Sequence, residues 1–128
     1  VAYADSHIQI MAATLLTPDD VLVAISSSGR SRELMDAVNA ALESGAKVIA
    51  ITVPGTPLAE RATVTLEVDS PEDNETYSPM LSRILHLVLI DILTVGVALK
   101  RGPGLATQLE KAKRSLRQKR LRNDNDDE

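Results

Sequence analysis

Residues 21 to 42, VLVAISSSGRSRELMDAVNAAL, read as a strand, a serine-rich turn and a helix in direct succession, and no other feature constrains the fold as strongly. Val21 to Ile25 is an unbroken apolar run, the pattern of a parallel strand covered on both faces. From Leu34 the apolar positions Leu34, Ala37, Val38, Ala41 and Leu42 share one helical face, and Gly45 follows where a C′ glycine ends a helix. Between them Ser26, Ser27, Ser28, Gly29, Arg30 and Ser31 bring hydroxyls and backbone amides to a helix N-terminus. First-turn N–H groups lack intrahelical acceptors and the dipole is positive there, so a phosphate dianion is the natural ligand. The plainer reading makes Ser28 an N-cap and the other serines solvated turn residues. It accounts for one serine and leaves the rest unexplained. Neither Gly-x-x-x-x-Gly-Lys-Ser/Thr nor Gly-x-Gly-x-x-Gly occurs here, which argues against a P-loop nucleotide site and a dinucleotide fingerprint.

The flanking segments extend the strand-and-helix alternation. Val1 to Ala4 is a candidate short strand, and Asp5 a candidate N-cap for a helix through Leu16 with Ile8, Met11, Ala12 and Leu15 on its apolar face. Thr17-Pro18-Asp19-Asp20 breaks that helix. Lys47 to Val53 reads as a second buried parallel strand ended by Pro54-Gly55, Pro57 to Arg61 as a helical turn, and Val64 to Val68 as a half-exposed edge strand. The alternation predicts an α/β sheet with right-handed crossovers. A polar connection, 69 to 76, leads to a long helix from Ser78 to Lys100 with Pro79 in its first turn. From Ile84 to Leu99 this helix is apolar nearly all round, interrupted by His86, Asp91 and Thr94, so it calls for cover on both sides. Its apolar stretch falls short of the roughly 20 residues of a membrane span, and burial between the sheet and a second subunit is expected instead. Asp91 is expected as a hydrogen-bonded structural carboxylate. After Gly102-Pro103-Gly104 an amphipathic helix is predicted from Leu105 to about Leu121, followed by a disordered acidic tail at 123–128.

Composition narrows the function. A chain of 128 residues suits one core, here residues 1–122, and hence one site. With no cysteine and two histidines, neither a disulfide framework nor a thiolate metal site is expected, and the chain fits a reducing cytoplasm. No metal and no cofactor are expected. The N-terminal residues do not follow the pattern of a secretory leader, and the start at Val1 suggests a fragment. Seven of the 14 basic residues fall in 111–122, leaving an acidic body that would repel a phosphate backbone. Two tyrosines are the whole aromatic content, which disfavours base stacking.

On the residues Ile25-Ser26-Ser27-Ser28-Gly29-Arg30-Ser31 the chain resembles the Ser-x-Ser-Gly-x-Ser/Thr loop of sugar isomerase (SIS) domains. The segments KVIAITVPGTPLAERATVTLEV and ETYSPMLSRILHLVLIDIL resemble the effector half of RpiR-type transcriptional regulators, most closely repressors of hexose catabolism. The resemblance covers residues 1 to about 120. It implies a three-layer α/β/α SIS-type parallel sheet, here lacking the first strand and helix of the full domain, with Val1 to Ala4 as the family's second strand. It implies that Ser26, Ser28 and Ser31, with the Ser27 amide, hold the phosphate of a phosphosugar, and that Gly29 belongs to the same loop. It also implies a homodimer paired through the long helix, 78–100. DNA would be contacted only through an N-terminal helix-turn-helix domain outside this chain, and no membrane is involved. The effector it suggests is a 6-phosphosugar acid such as 2-keto-3-deoxy-6-phosphogluconate, whose carboxylate Arg30 would pair with.

Two other readings compete. An aldose–ketose phosphate isomerase needs a base and a ring-opening acid. Glu75, or less well Glu72, precedes the long helix where isomerising relatives carry a glutamate, and His86 lies on it, but their spacing departs from that pattern. Glu75 is retained as a candidate contact to the phosphosugar. The other reading is a dimerisation module whose serine loop stays empty.

Overall fold

The computed structural model describes residues 1–68 and 80–102 together with 104 and 114. Among these, helix α1 (Ser6–Thr14) leads to strand β1 (Val21–Ser26), helix α2 (Arg32–Glu43), strand β2 (Lys47–Thr52), helix α3 (Pro57–Arg61), strand β3 (Val64–Glu67) and helix α4 (Met80–Arg101). Glu75, Glu72, Ser78 and Pro79, the second amphipathic helix and the acidic tail lie outside the described residues. Val1–Leu89 makes one compact unit, which holds the sheet; Ile90–Glu128 makes another, and the boundary falls within α4.

The three strands are parallel in the order β1-β2-β3, with Val21 opposite Lys47 and Ser26 opposite Thr52, and with Ile49 opposite Val64 and Thr52 opposite Glu67. This is the expected α/β alternation. In-register pairing brings Ser26 and Thr52 to the same, C-terminal end of the sheet, where a parallel α/β sheet presents its loops to ligands. Leu22 and Ala24 of β1 and Val48 and Ala50 of β2 face one way, into a core shared with Ala37, Val38 and Ala41 of α2 and with Leu58 of α3. Alanines on both elements let α2 lie close to the sheet in a core that holds no Phe or Trp. α2 ends in a Schellman motif: Ala46 N–H donates to Ala41 O and Gly45 N–H to Leu42 O, each at 3.0 Å, with Gly45 at φ +85°.

The structure corrects the sequence reading in several places. Val1 to Ala4 is not a strand: its backbone pairs with no strand among the described residues, and Tyr3 O instead accepts from Gln9 Nε2 at 2.7 Å. Asp5 caps α1 as expected, accepting from Ile8 N–H at 3.0 Å. The buried side of α1, however, is that of Ala13, flanked by Ile10 and Leu16, whereas Ile8, Met11 and Leu15 are exposed. α1 packs on α2, and there the small Ala13 side chain permits close approach, with Ser44 Oγ 3.3 Å from Thr14 O. Nor is β1 covered on both faces. Val21, Val23 and Ile25 alternate away from the core and remain exposed.

α4 is 22 residues long, and among them only Ser82 is buried. By length and composition it is long and apolar enough to cross a membrane, so the expectation that it falls short of a span does not hold. Ile84, Leu87, Val88, Ile92, Val95 and Val97 are exposed in the single chain, and so is Asp91, which is therefore not a buried structural carboxylate here.

Candidate functional site

The serine loop leaves β1 at Ser26 and enters α2 at Arg32. Its shape is set by bonds within the loop. Ser26 Oγ accepts from Gly29 N–H at 2.9 Å, and Ser28 Oγ accepts from Arg30 N–H at 3.4 Å. Gly29 is buried at φ +62°, a conformation for which L side chains pay in steric strain. Leu58 N–H donates to Gly29 O at 3.2 Å, tying the loop to the first turn of α3. Behind Gly29 stand two buried threonines. Thr56 caps α3, accepting from Ala59 N–H at 3.3 Å and donating to Val53 O at 2.9 Å. Thr52 Oγ1 is fully buried and has no hydrogen-bond partner among the described residues.

The α2 N-cap is Ser31 rather than Ser28. Its hydroxyl oxygen accepts from Leu34 N–H at 3.5 Å, while its proton is donated to Glu33 Oε2 at 3.1 Å. Glu33's own backbone N–H, and then the Ser31 hydroxyl, hold the Glu33 carboxyl below its ordinary pKa, so it stays ionised beside the loop. Ser31 is thus engaged with a carboxylate in this state, and its proton must turn from Glu33 to serve a phosphate oxygen.

Two clefts flank the loop. The first, of about 520 Å³, opens between the start of α1 and the start of α2 and is lined by Asp5, Gln9, Ser26, Ser31, Glu33 and Leu34 among others. The second, of about 330 Å³, lies between the end of β1 and the first turns of α4 and is lined by Ile25, Ser26, Ser27, Ser82, Arg83 and His86. Ser26 borders both. Among the described residues, the first cleft is bordered by the carboxylates Asp5 and Glu33, and the second by the guanidinium of Arg83 and the imidazole of His86. Desolvation lowers the His86 pKa, so the ring is neutral near pH 7.

Of the residues singled out from sequence, the fold brings Ser26, Ser27, Ser28, Gly29 and Ser31 together in one loop. Arg30 is exposed and is not among the residues that border either cleft. Four residues escaped the sequence reading. Thr52 and Thr56 lie behind Gly29, a placement that only the register of β2 reveals. Glu33 was legible as an acid in the first turn of a helix, and Arg83 as a cation three residues before His86, but nothing local placed either beside the loop. Among the described residues no cluster of His, Cys, Asp and Glu is arranged to hold a metal ion.

Comparison with known proteins agrees with this geometry. The family model of the SIS domain matches residues 1–96. The HTH-type transcriptional regulator HexR of Pseudomonas aeruginosa is 42% identical over 115 residues, which span 90% of this chain and 40% of that protein. The bifunctional protein glk of Paraburkholderia xenovorans is 55% identical over 101 residues, 79% of this chain but 16% of that protein. The chain therefore spans less than half the length of these relatives. Among solved structures, the Vibrio vulnificus NanR protein complexed with ManNAc-6P superposes with a TM-score of 0.84 at 24% identity, over 95% of this chain and 46% of that one, a likeness of fold. The serine loop between strand and helix, the parallel sheet and the family match together show that this chain belongs to the SIS domain family, its domain being of the RpiR/HexR type.

Proposed function

We propose that this chain is the phosphosugar-binding effector domain of a cytoplasmic transcriptional regulator of hexose catabolism in the Entner–Doudoroff route, and that its effector is a 6-phosphosugar acid such as 2-keto-3-deoxy-6-phosphogluconate. The observation that carries the reading is the serine loop itself. Ser26, Ser27, Ser28 and Ser31 gather at the C-terminal edge of a parallel sheet, around a glycine held at φ +62° and at the N-terminus of α2. Supporting it are the HexR relative, named as a transcriptional regulator, and the fold of NanR, solved with a sugar phosphate. Sensing asks only that the ligand bind one arrangement of the protein better than another. DNA contact belongs to a helix-turn-helix domain outside this chain. The exposed apolar face of α4 suits a homodimer rather than a bilayer, since the SIS family match runs through residue 96 and takes most of α4 into the domain.

Isomerisation is the second reading, because His86 borders the same cleft as Ser26 and Ser27. The two are separated by incubating the chain with glucose 6-phosphate and following the sugar by NMR. Saturable binding without fructose 6-phosphate supports the sensor, and interconversion of the two sugars refutes it.

A further inference from the structure

Among the described residues, Thr52 Oγ1 is the one buried side-chain polar atom without a hydrogen-bond partner. Leaving such a group unpaired costs more than a typical hydrogen bond returns, so its presence calls for a reason. Its placement supplies one. Thr52 ends β2 directly opposite Ser26 of β1 in the parallel register, and its hydroxyl lies 2.7 Å from where a Cβ on Gly29 would stand. Thr52 is not among the residues lining the clefts beside the loop, whereas Ser26 borders both. It therefore acts on a ligand only through the loop. We propose that Thr52 is a positioning residue of the phosphate site: its hydroxyl, unpaired while Gly29 N–H bonds to Ser26, donates to Ser26 Oγ once an anion takes that N–H. The inference rests on the phosphate reading of the serine loop and adds how the end of the sheet beneath it sets the affinity.

Ser26 Oγ accepts from Gly29 N–H at 2.9 Å. A phosphate oxygen seated beside Ser26 competes for that N–H and wins, because a hydrogen bond to an ionised acceptor is roughly twice as strong as one between neutral groups. Ser26 then loses its donor and turns its own proton to the phosphate. In-register residues of adjacent strands project from the same face, with the strands about 4.8 Å apart, so a rotamer turn of Ser26 brings its oxygen within reach of Thr52. After the exchange every group is paired: Gly29 N–H and Ser26 O–H with the phosphate, and Thr52 O–H with Ser26. Before it, Thr52 is left over. Anion binding thus gains a hydrogen bond inside the protein, which is the differential interaction a ligand needs to shift the loop between two arrangements. The exchange stays local, because Gly29 O remains tied to Leu58 N–H at 3.2 Å.

The test is titration of the chain with inorganic phosphate and with glucose 6-phosphate, followed by the Ser26–Ser31 amide shifts, alongside denaturant unfolding. It compares wild type, Thr52→Val, Thr52→Ser, Ser26→Ala and the variant carrying both Ser26→Ala and Thr52→Val. Thr52→Val should weaken both ligands by about five- to tenfold, the size of one hydrogen bond, with the unfolding midpoint unchanged or raised. Thr52→Ser keeps the hydroxyl and leaves a methyl-sized void, so it should lower the midpoint yet bind within about twofold of wild type. In the Ser26→Ala background Thr52→Val should cost no further affinity. Affinity and stability then part in opposite directions between the two Thr52 variants, which a merely structural threonine would not produce. If Thr52→Val binds both ligands as wild type does, if Thr52→Ser loses as much affinity as Thr52→Val, or if the loss persists in the Ser26→Ala background, the exchange is wrong and the phosphate loop stands. If neither ligand moves the Ser26–Ser31 amides of the folded wild-type chain, the phosphate reading falls and the role of Thr52 falls with it.

Discussion

The Cα of Gly29 faces the Thr56 side chain so closely that a Cβ added there would overlap the Thr56 hydroxyl and its Cβ, and would lie 2.7 Å from Thr52 Oγ1. The serine loop is therefore pressed onto two threonines from β2 and the cap of α3, and its shape is a property of the packed sheet end rather than of the loop alone. Gly29→Ala combines a left-handed backbone with that collision. It is expected to destabilise the chain by about 2 kcal/mol or more and to remove phosphosugar binding. Denaturant unfolding and a binding titration on the same sample check this, and an unchanged midpoint with intact binding contradicts it.

Thr52 presents the opposite case. Its hydroxyl is buried without a partner among the described residues, so Thr52→Val, which keeps the shape and removes the unsatisfied group, should be neutral or raise stability by up to about 1 kcal/mol. A loss of stability in denaturant unfolding would mean that the hydroxyl is hydrogen-bonded in solution.

Glu33 holds the Ser31 proton and places a negative charge beside the loop. Glu33→Gln should tighten binding of inorganic phosphate and of glucose 6-phosphate, by freeing Ser31 and removing the repulsion. Because the Glu33 pKa is lowered in the folded chain, its contribution to stability is present above the ordinary carboxyl pKa and is lost as pH falls through its folded value. Phosphate affinity measured by titration should rise in the variant; unchanged or weaker binding would show that Ser31 does not serve the anion.

The His86 pKa is lowered by burial, so the folded chain resists protonating it. Stability from this group is complete above the ordinary histidine pKa and declines as pH falls from there to the lower, folded value. His86→Gln should flatten the pH dependence of the unfolding midpoint across that window. Binding acts in the other sense: an anion in the cleft favours the imidazolium, so acid binding should take up protons, measurable as a calorimetric heat that varies with buffer ionisation enthalpy. A buffer-independent heat would place the ligand away from His86.

Ile92 lies on the exposed apolar side of α4. If that side pairs two copies, light scattering should give a dimer for the wild type and a monomer for Ile92→Glu, whose buried charge would be costly. A wild-type monomer would contradict pairing through α4.

Much of the unit containing the loop was legible from local chemistry. Apolar runs, the Gly45 stop and the Pro54-Gly55 turn set the elements from β1 to β3, because strand, turn and cap signals act over a few residues. Faces were less legible than elements. The apolar residues on α1 did not reveal which side is buried, since Ala13 was selected by the close approach of α2 and not by its own hydrophobicity. The run Val21 to Ile25 could not report that one side of β1 stays open, because cover depends on what lies beside the strand. In the site, the serines declared themselves by their crowding ahead of a helix. Arg83, Thr52 and Thr56 did not, because each meets the loop only through the tertiary fold, and Arg30, beside the serines in sequence, turned out to border neither cleft.

The serine loop is proposed to hold the phosphate of a phosphosugar. Its most direct test is an amide-resolved NMR titration of the chain with 2-keto-3-deoxy-6-phosphogluconate. Saturable shifts are expected, centred on Ser26, Ser27, Ser28, Gly29 and Ser31, competed by inorganic phosphate and abolished by Ser28→Ala with the fold intact. Shifts that bypass those residues, or that persist unchanged in Ser28→Ala, would contradict it.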